Sequence, residues 1–166
     1  MAENITGAHN SIMSRLVKYW LPVLVMIAAM YYFSTDVLSG ENTRGILESI
    51  LEWAGLDVSR RTIERLNYIT RKAAHFVEYA MLAGLLFRAF RADATARWKT
   101  SWALYSMLIC AVWALIDEYR QSLSDHRSGS LNDSLLDCAG ALFMLALVWY
   151  FNRSRRSRLP GEEFRE

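Results

Sequence analysis

The sequence predicts an all-α integral membrane protein with four transmembrane helices and an amphipathic helical segment between the first and the second. Three observations carry that expectation. Apolar runs recur at about residues 19–33, 73–90, 98–116 and 134–151, and at about 1.5 Å of rise per residue each reaches deep into or across a bilayer. The 166 residues are 53% hydrophobic and 13% aromatic, and the 22% that are charged are gathered between the runs rather than spread along them. Finally, residues 117–137 pack an unusual density of polar side chains between two almost purely apolar arms. Charge held at such a place is costly.

Taken in order, residues 1–14 form a short polar lead, followed by Arg15, Lys18 and the first run. That run ends in Tyr31, Tyr32 and Phe33 rather than in small residues suited to cleavage, so it reads as a retained span with aromatic residues at both interfaces. Pro22 falls near its start, where a missing amide costs least. In the following connector Ile46, Leu47, Ile50, Leu51 and Ala54 recur at helical spacing opposite Glu41, Arg44, Glu48 and Glu52. This predicts an amphipathic helix ended by Gly55, lying along the membrane surface or over the bundle. A second periodic stretch starts near Ser59, carries Ile63, Leu66 and Ile69, and runs into the second span with no Gly or Pro to stop it. One long helix is expected there. Ala80 and Gly84, four apart, offer a neighbouring helix a close approach, as do Cys138, Ala139, Gly140 and Ala141 at the start of the fourth span.

The basic residues set an expected orientation. Eleven of nineteen fall on one side, namely Arg15, Lys18, four in the second connector and five in the tail, so both termini are expected in the cytoplasm. The start of the second span, the end of the third and the start of the fourth then share the outer side. Arg71, His75 and Glu78 lie on one helical face, flanked by Lys72 and Tyr79; Asp117 and Gln121 align on the third helix, and Asp133 and Asp137 on the fourth. Arg127 stands in the loop above them, and Glu118 adjoins Asp117. Glu78 and Asp137 lie inside apolar runs, and each would cost roughly 2.5–3.5 kcal/mol at a helix centre unless paired. Arg71, Lys72, His75 and Arg127 are the cations on hand.

Several function classes are set aside. A net charge of +2 in short clusters does not describe a nucleic-acid surface. Cys110 and Cys138 sit in apolar runs at different depths and read as small packing residues, not as a disulfide or zinc pair. His75, Glu78, Asp117, Glu118, Asp133 and Asp137 could supply metal ligands, but H-x-x-E is only a helix-face pair, and no metal or other cofactor is expected. No phosphate loop, G-x-S-x-G or H-E-x-x-H is present. For His75 a structural role, donating to a neighbouring carboxylate, stands level with a catalytic one, and the whole constellation could be a polar knot that only fixes helix packing.

The block RKAAHFVEYAMLAGLLFRAF, the YYFSTD end of the first span and DEYRQSLSDHRSGSLNDSLLDCAGA together resemble the VanZ-like family of bacterial membrane proteins, named for a protein linked to teicoplanin resistance. The family's polar positions match Lys72, His75, Glu78 and Tyr79, then Asp117, Glu118, Gln121, Arg127, Asp133 and Asp137, with Gly140 following. Where many relatives carry Pro-Gly before the arginine, this chain has Asp125 and His126. The resemblance implies one membrane domain over residues 1–152, a basic cytoplasmic tail over 153–166, and a place in the bacterial cytoplasmic membrane acting at the envelope.

The leading expectation is a non-catalytic protein whose outward polar cleft binds an envelope component, a lipid head group or a glycan precursor, and so modulates wall synthesis or susceptibility to teicoplanin-type glycopeptides. Arg71, Lys72 and Arg127 would take an anionic group, and Glu78, Asp117, Glu118, Gln121 and Asp137 would accept from hydroxyls. The rival is a membrane enzyme on a lipid-linked substrate, with His75, Glu78, Asp117 or Asp137 as general base. A small transporter is a third reading, weakened by the absence of repeats or broken helices. Oligomeric state does not follow from the sequence.

Overall fold

A computed structural model describes the backbone of residues 2–33, 40–122 and 131–154, and the side chains of 13–32, 43–122 and 131–153. Its helices are α1 (Ala2–Phe33), α2 (Gly40–Trp53), α3 (Arg60–Arg91), α4 (Thr100–Ser122) and α5 (Leu131–Ser154), with no strand among the described residues. Stretches of α1, α3, α4 and α5 are long and apolar enough to cross a membrane. The protein is a multi-pass membrane protein.

Local signals account for most boundaries. Leu56 N–H donates to Leu51 O and Gly55 N–H to Glu52 O, each at 3.0 Å, and Gly55 has φ +70°, which completes a Schellman stop for α2. Ser59 caps α3, its hydroxyl accepting from Thr62 N–H at 3.4 Å. With nothing to interrupt it, α3 continues for 32 residues. At about 48 Å it exceeds a hydrocarbon core of about 30 Å, so its first turns project past the span. One boundary differs from expectation. The polar lead is helical from Ala2, which places Pro22 in the interior of α1 rather than near its start; a membrane helix tolerates the lost hydrogen bond when its neighbours satisfy the freed carbonyl. α4 runs on to Ser122 and so carries Asp117 and Gln121 on one helix, as expected, since they and Glu118 are polar without being helix breakers.

α3 is the central helix and packs against each of the other four. Tyr79, Leu82, Ala83, Leu86 and Phe87 from α3 meet Val23 and Met30 of α1, Cys110 and Ala114 of α4, and Ala141 and Leu145 of α5 in one buried core. Outside it, Leu21, Leu24, Val25, Leu104, Leu108, Val112, Leu142 and Phe143 are exposed. That surface faces lipid.

The small-residue expectations hold at the α3–α5 contact. A Cβ on Gly140 would collide with the Phe76 carbonyl oxygen and come within 3.0 Å of its carbon, so the two backbones touch there. At Gly84 a Cβ would meet Met144 Cγ at 3.3 Å, a milder contact with a flexible side chain. Both cysteines are free. On α2, Leu47 and Leu51 are half-buried while Ile46 and Ile50 are exposed, so the apolar stripe is only partly covered by its contact with α3.

Candidate functional site

The contact at Gly140 positions the site. Because α3 and α5 cross there backbone to backbone, the residues one and two turns earlier on both helices also face each other. Lys72 Nζ forms an ion pair with Asp133, and His75 Nδ1 lies 3.7 Å from Asp137 Oδ1. The pairs 72 with 133 and 75 with 137 advance together, as parallel helices require.

α4 brings the third group of polar residues to the same end. Gln121 Nε2 donates to Asp117 Oδ2 at 2.8 Å, which confirms that these two residues share a face. Arg120 Nη1 lies 3.8 Å from Asp117 Oδ1, while its guanidinium stacks 3.8 Å from the Tyr31 ring centroid at the end of α1. Asp117 and Glu118 are buried, and Asp137 is only 4% exposed. Glu78, half-buried on α3, lies close enough to Asp117 to feel its charge, and Asp137 feels Asp117, Asp133, Glu118 and Glu78. Tyr79 is fully buried among the same carboxyls, and its hydroxyl, like that of buried Ser134, has no hydrogen-bond partner among the described residues.

The stripes on α3, α4 and α5 therefore converge, with one departure from expectation. Glu78 was expected to be paired by a neighbouring cation, yet among the described residues it forms no ion pair within 4 Å, and the charge it feels is that of Asp117. Lys72 and Arg120 are spent on Asp133 and Asp117. Arg71 is half-buried on α3. Arg127, expected over the cluster, lies outside the described residues.

Two contributors were missed in the sequence. Arg120 supplies the cation for Asp117, and its i, i+3 spacing from that aspartate was the available signal. Ser134 stands one turn before Asp137 and shares its burial, a signal of the same kind. Chemically the cluster is an acid-rich, largely buried site with a lysine paired to Asp133 and a histidine near Asp137. Hydroxyls, amines or a phosphate could all find partners at its different depths. Among the described residues no group of three or more His, Cys, Asp or Glu side chains is arranged to hold a metal ion.

A family model described as VanZ/LLP1 matches residues 19–152. The chain belongs to the VanZ/LLP1 family. The match takes in the four helices long enough to span, from Tyr19 of α1 to Asn152 of α5, and every residue of the cluster just described. Neither the comparison with curated proteins nor that with solved structures gives a match. In VanZ/LLP1 terms, then, the fold and the polar cluster are parts of one matched unit, and the cluster's role rests on its chemistry.

Proposed function

We propose that this VanZ/LLP1 protein binds the polar head of an envelope amphiphile, a lipid head group or a glycan precursor, in the cluster formed by α3, α4 and α5. One observation carries the reading: five carboxylates, three of them buried, meet at one end of a membrane bundle beside the Tyr79 and Ser134 hydroxyls, which are buried with no hydrogen-bond partner among the described residues. A knot serving only helix packing would be cheaper with its polar groups satisfied, since a buried hydroxyl left without a partner is destabilising. Lys72 and Arg71, nearer the mouth, take an anionic group; Glu78, Asp117 and Asp137 accept from hydroxyls deeper in. With both termini cytoplasmic, as the basic residues favour, the mouth opens outward in a bacterial cytoplasmic membrane, where such binding would modulate wall synthesis or glycopeptide susceptibility. Single cysteines at positions 59 and 97, in a background lacking Cys110 and Cys138, check the orientation. Position 59 labels with an impermeant thiol reagent and 97 does not; the reverse pattern inverts the topology.

The function is tested by Glu78→Gln and Lys72→Gln, each scored as envelope phenotype per folded molecule alongside melting temperature. Losing a charged hydrogen-bonding group costs a ligand about 1.5–3 kcal/mol, so about ten-fold or more is expected from activity per molecule. Unchanged activity per molecule with a lowered melting temperature would assign the cluster to packing alone.

A second reading draws on His75. Its Nδ1 lies 3.7 Å from Asp137 Oδ1, and a small closure to hydrogen-bond distance would hold the ring for general-base work through Nε2, as in acid/base catalysis on a lipid-linked substrate. His75→Gln separates the two, because a binding site weakens while an enzyme loses turnover at saturating substrate.

A further inference from the structure

The opposite end of the bundle carries a different chemistry. Among the described residues, Arg15, Lys18, Arg88, Arg91, Arg97, Lys99 and Arg153 lie in the middle of α1, at the end of α3, in the α3–α4 connector and at the end of α5, against one acid, Asp93. Asp93 is already engaged: it accepts from the Tyr19 hydroxyl and pairs with Arg15 at 3.1 Å and Lys18 at 3.7 Å. Arg88 donates to the Lys18 carbonyl at 3.2 Å. Arg91, Arg97 and Lys99 remain, and among the described residues none has a carboxylate within 4 Å.

Their placement is set by packing. Phe87 and Arg91 are one turn apart on α3, and Trp98 stacks on Phe87 with ring centroids 5.1 Å apart. The connector is thereby tied to α3, and Arg97 and Lys99, which flank Trp98, are exposed at the same end of the bundle as Arg91. Lys99 Nζ lies 5.2 Å from the Trp102 ring centroid, and Arg153 lies 5.3 Å from that of Trp149. Arg91 is half-buried, and its Nε is sealed from solvent with no hydrogen-bond partner. That nitrogen is out of a ligand's reach, but the planar guanidinium fork suits a phosphate, and no carboxylate among the described residues holds it. Tryptophans beside these cations place the group at the level of the lipid head groups.

We infer that Arg91, Arg97 and Lys99 form a binding site for the phosphate of an anionic phospholipid at this end of the bundle. The lipid phosphate accepts from these three side chains, and its acyl chains lie along the exposed apolar flanks of the bundle. Zwitterionic lipids are disfavoured because the site presents three positive charges and no available acid for their ammonium group. The site is separate from the acid-rich cluster, at the far ends of α3 and α4.

The test uses the full chain purified in detergent, with phosphatidylglycerol, phosphatidylcholine or inorganic phosphate added at low and high salt. Retained lipid is read by native mass spectrometry and stabilisation by melting temperature. Phosphatidylglycerol is retained in preference to phosphatidylcholine and raises the melting temperature, and both effects shrink with salt. Each of Arg91→Gln and Lys99→Gln lowers retention about five-fold, as expected for one basic side chain near an anionic surface; Arg60→Gln, at the other end of α3, leaves it unchanged. Equal retention of the two lipids by the wild type overturns the proposal even if a variant fails to fold. So does stabilisation by inorganic phosphate equal to that by the lipid, or an undiminished preference in the folded double variant.

Discussion

The two ends of the bundle use the same kinds of ion pair under opposite conditions. At one end Asp117 and Asp137 are buried inside the spans, and their partners Arg120 and His75 come from the turn or the helix beside them. At the other, Asp93 stands in the α3–α4 connector at 41% side-chain exposure, surrounded by Arg15, Lys18 and the Tyr19 hydroxyl. Charges removed from water depend on each partner, whereas exposed ones are screened and individually weak. The acid-rich end is therefore expected to be brittle and specific, and the basic end tolerant and salt-sensitive.

The largest expected effect strikes what positions the acid-rich end. Gly140→Ala drives a methyl into the Phe76 carbonyl, so α3 and α5 must separate and with them the Lys72–Asp133 and His75–Asp137 pairs. Backbone overpacking of this kind costs about 1–3 kcal/mol. Gly84→Ala, which meets only the flexible Met144, should lose far less in the same thermal-unfolding assay. Equal losses at the two glycines would mean that the crossing at Phe76 is not what holds the cluster together.

A middle-sized effect sets one arginine from each end against the other. Arg120→Gln removes one partner of buried Asp117, and a loss of about 2 kcal/mol is expected, below the full cost of orphaning a buried charge because the hydrogen bond from Gln121 persists. Arg15→Gln leaves Asp93 with Lys18 and Tyr19 and should lower the melting temperature only slightly. If the two substitutions cost the same, burial is not what distinguishes the ends.

What could be read in advance divides along a physical line. Ser59, Gly55 and the unbroken run into α3 are local signals, and each sits where the backbone needs it. The close approach at Gly84 and Gly140 was also legible, because a lack of side chain on an apolar helix has few other uses. The convergence of the polar stripes followed from topology, since alternating spans bring the start of α3, the end of α4 and the start of α5 to one side. Pair identities did not follow. Whether Lys72 meets Asp133 or Glu78 depends on the rotation and crossing of α3 and α5, which helical periodicity leaves open. Arg120 was hidden because its pairing with Asp117 is local while its stacking on Tyr31 joins residues far apart in sequence. The Tyr19–Asp93 link, joining the first span to the second connector, had no local trace at all.

That link yields the smallest effect and the one that most sharpens the contrast. The Tyr19 hydrogen bond, with Lys18 and Arg15 nearby, holds the Asp93 carboxyl below the usual carboxylate range. A carboxyl lowered in the folded state adds stability above its unfolded value and loses it as pH falls through the lowered one. The wild type should therefore be slightly more stable than Asp93→Asn at neutral pH, and the two melting curves should begin to converge below about pH 4, where free carboxyls protonate, and meet only below the lowered value of Asp93. Raising the salt to about 1 M, where screening acts over about 3 Å, should close most of the gap at neutral pH without acid. Asp137, buried against α3, offers the matched control: its Asn variant should differ from the wild type at high salt as much as at low. A gap at Asp93 that survived salt would place this carboxyl in a desolvated setting, and the division between a screened end and a buried end would fail at the residue chosen to define it.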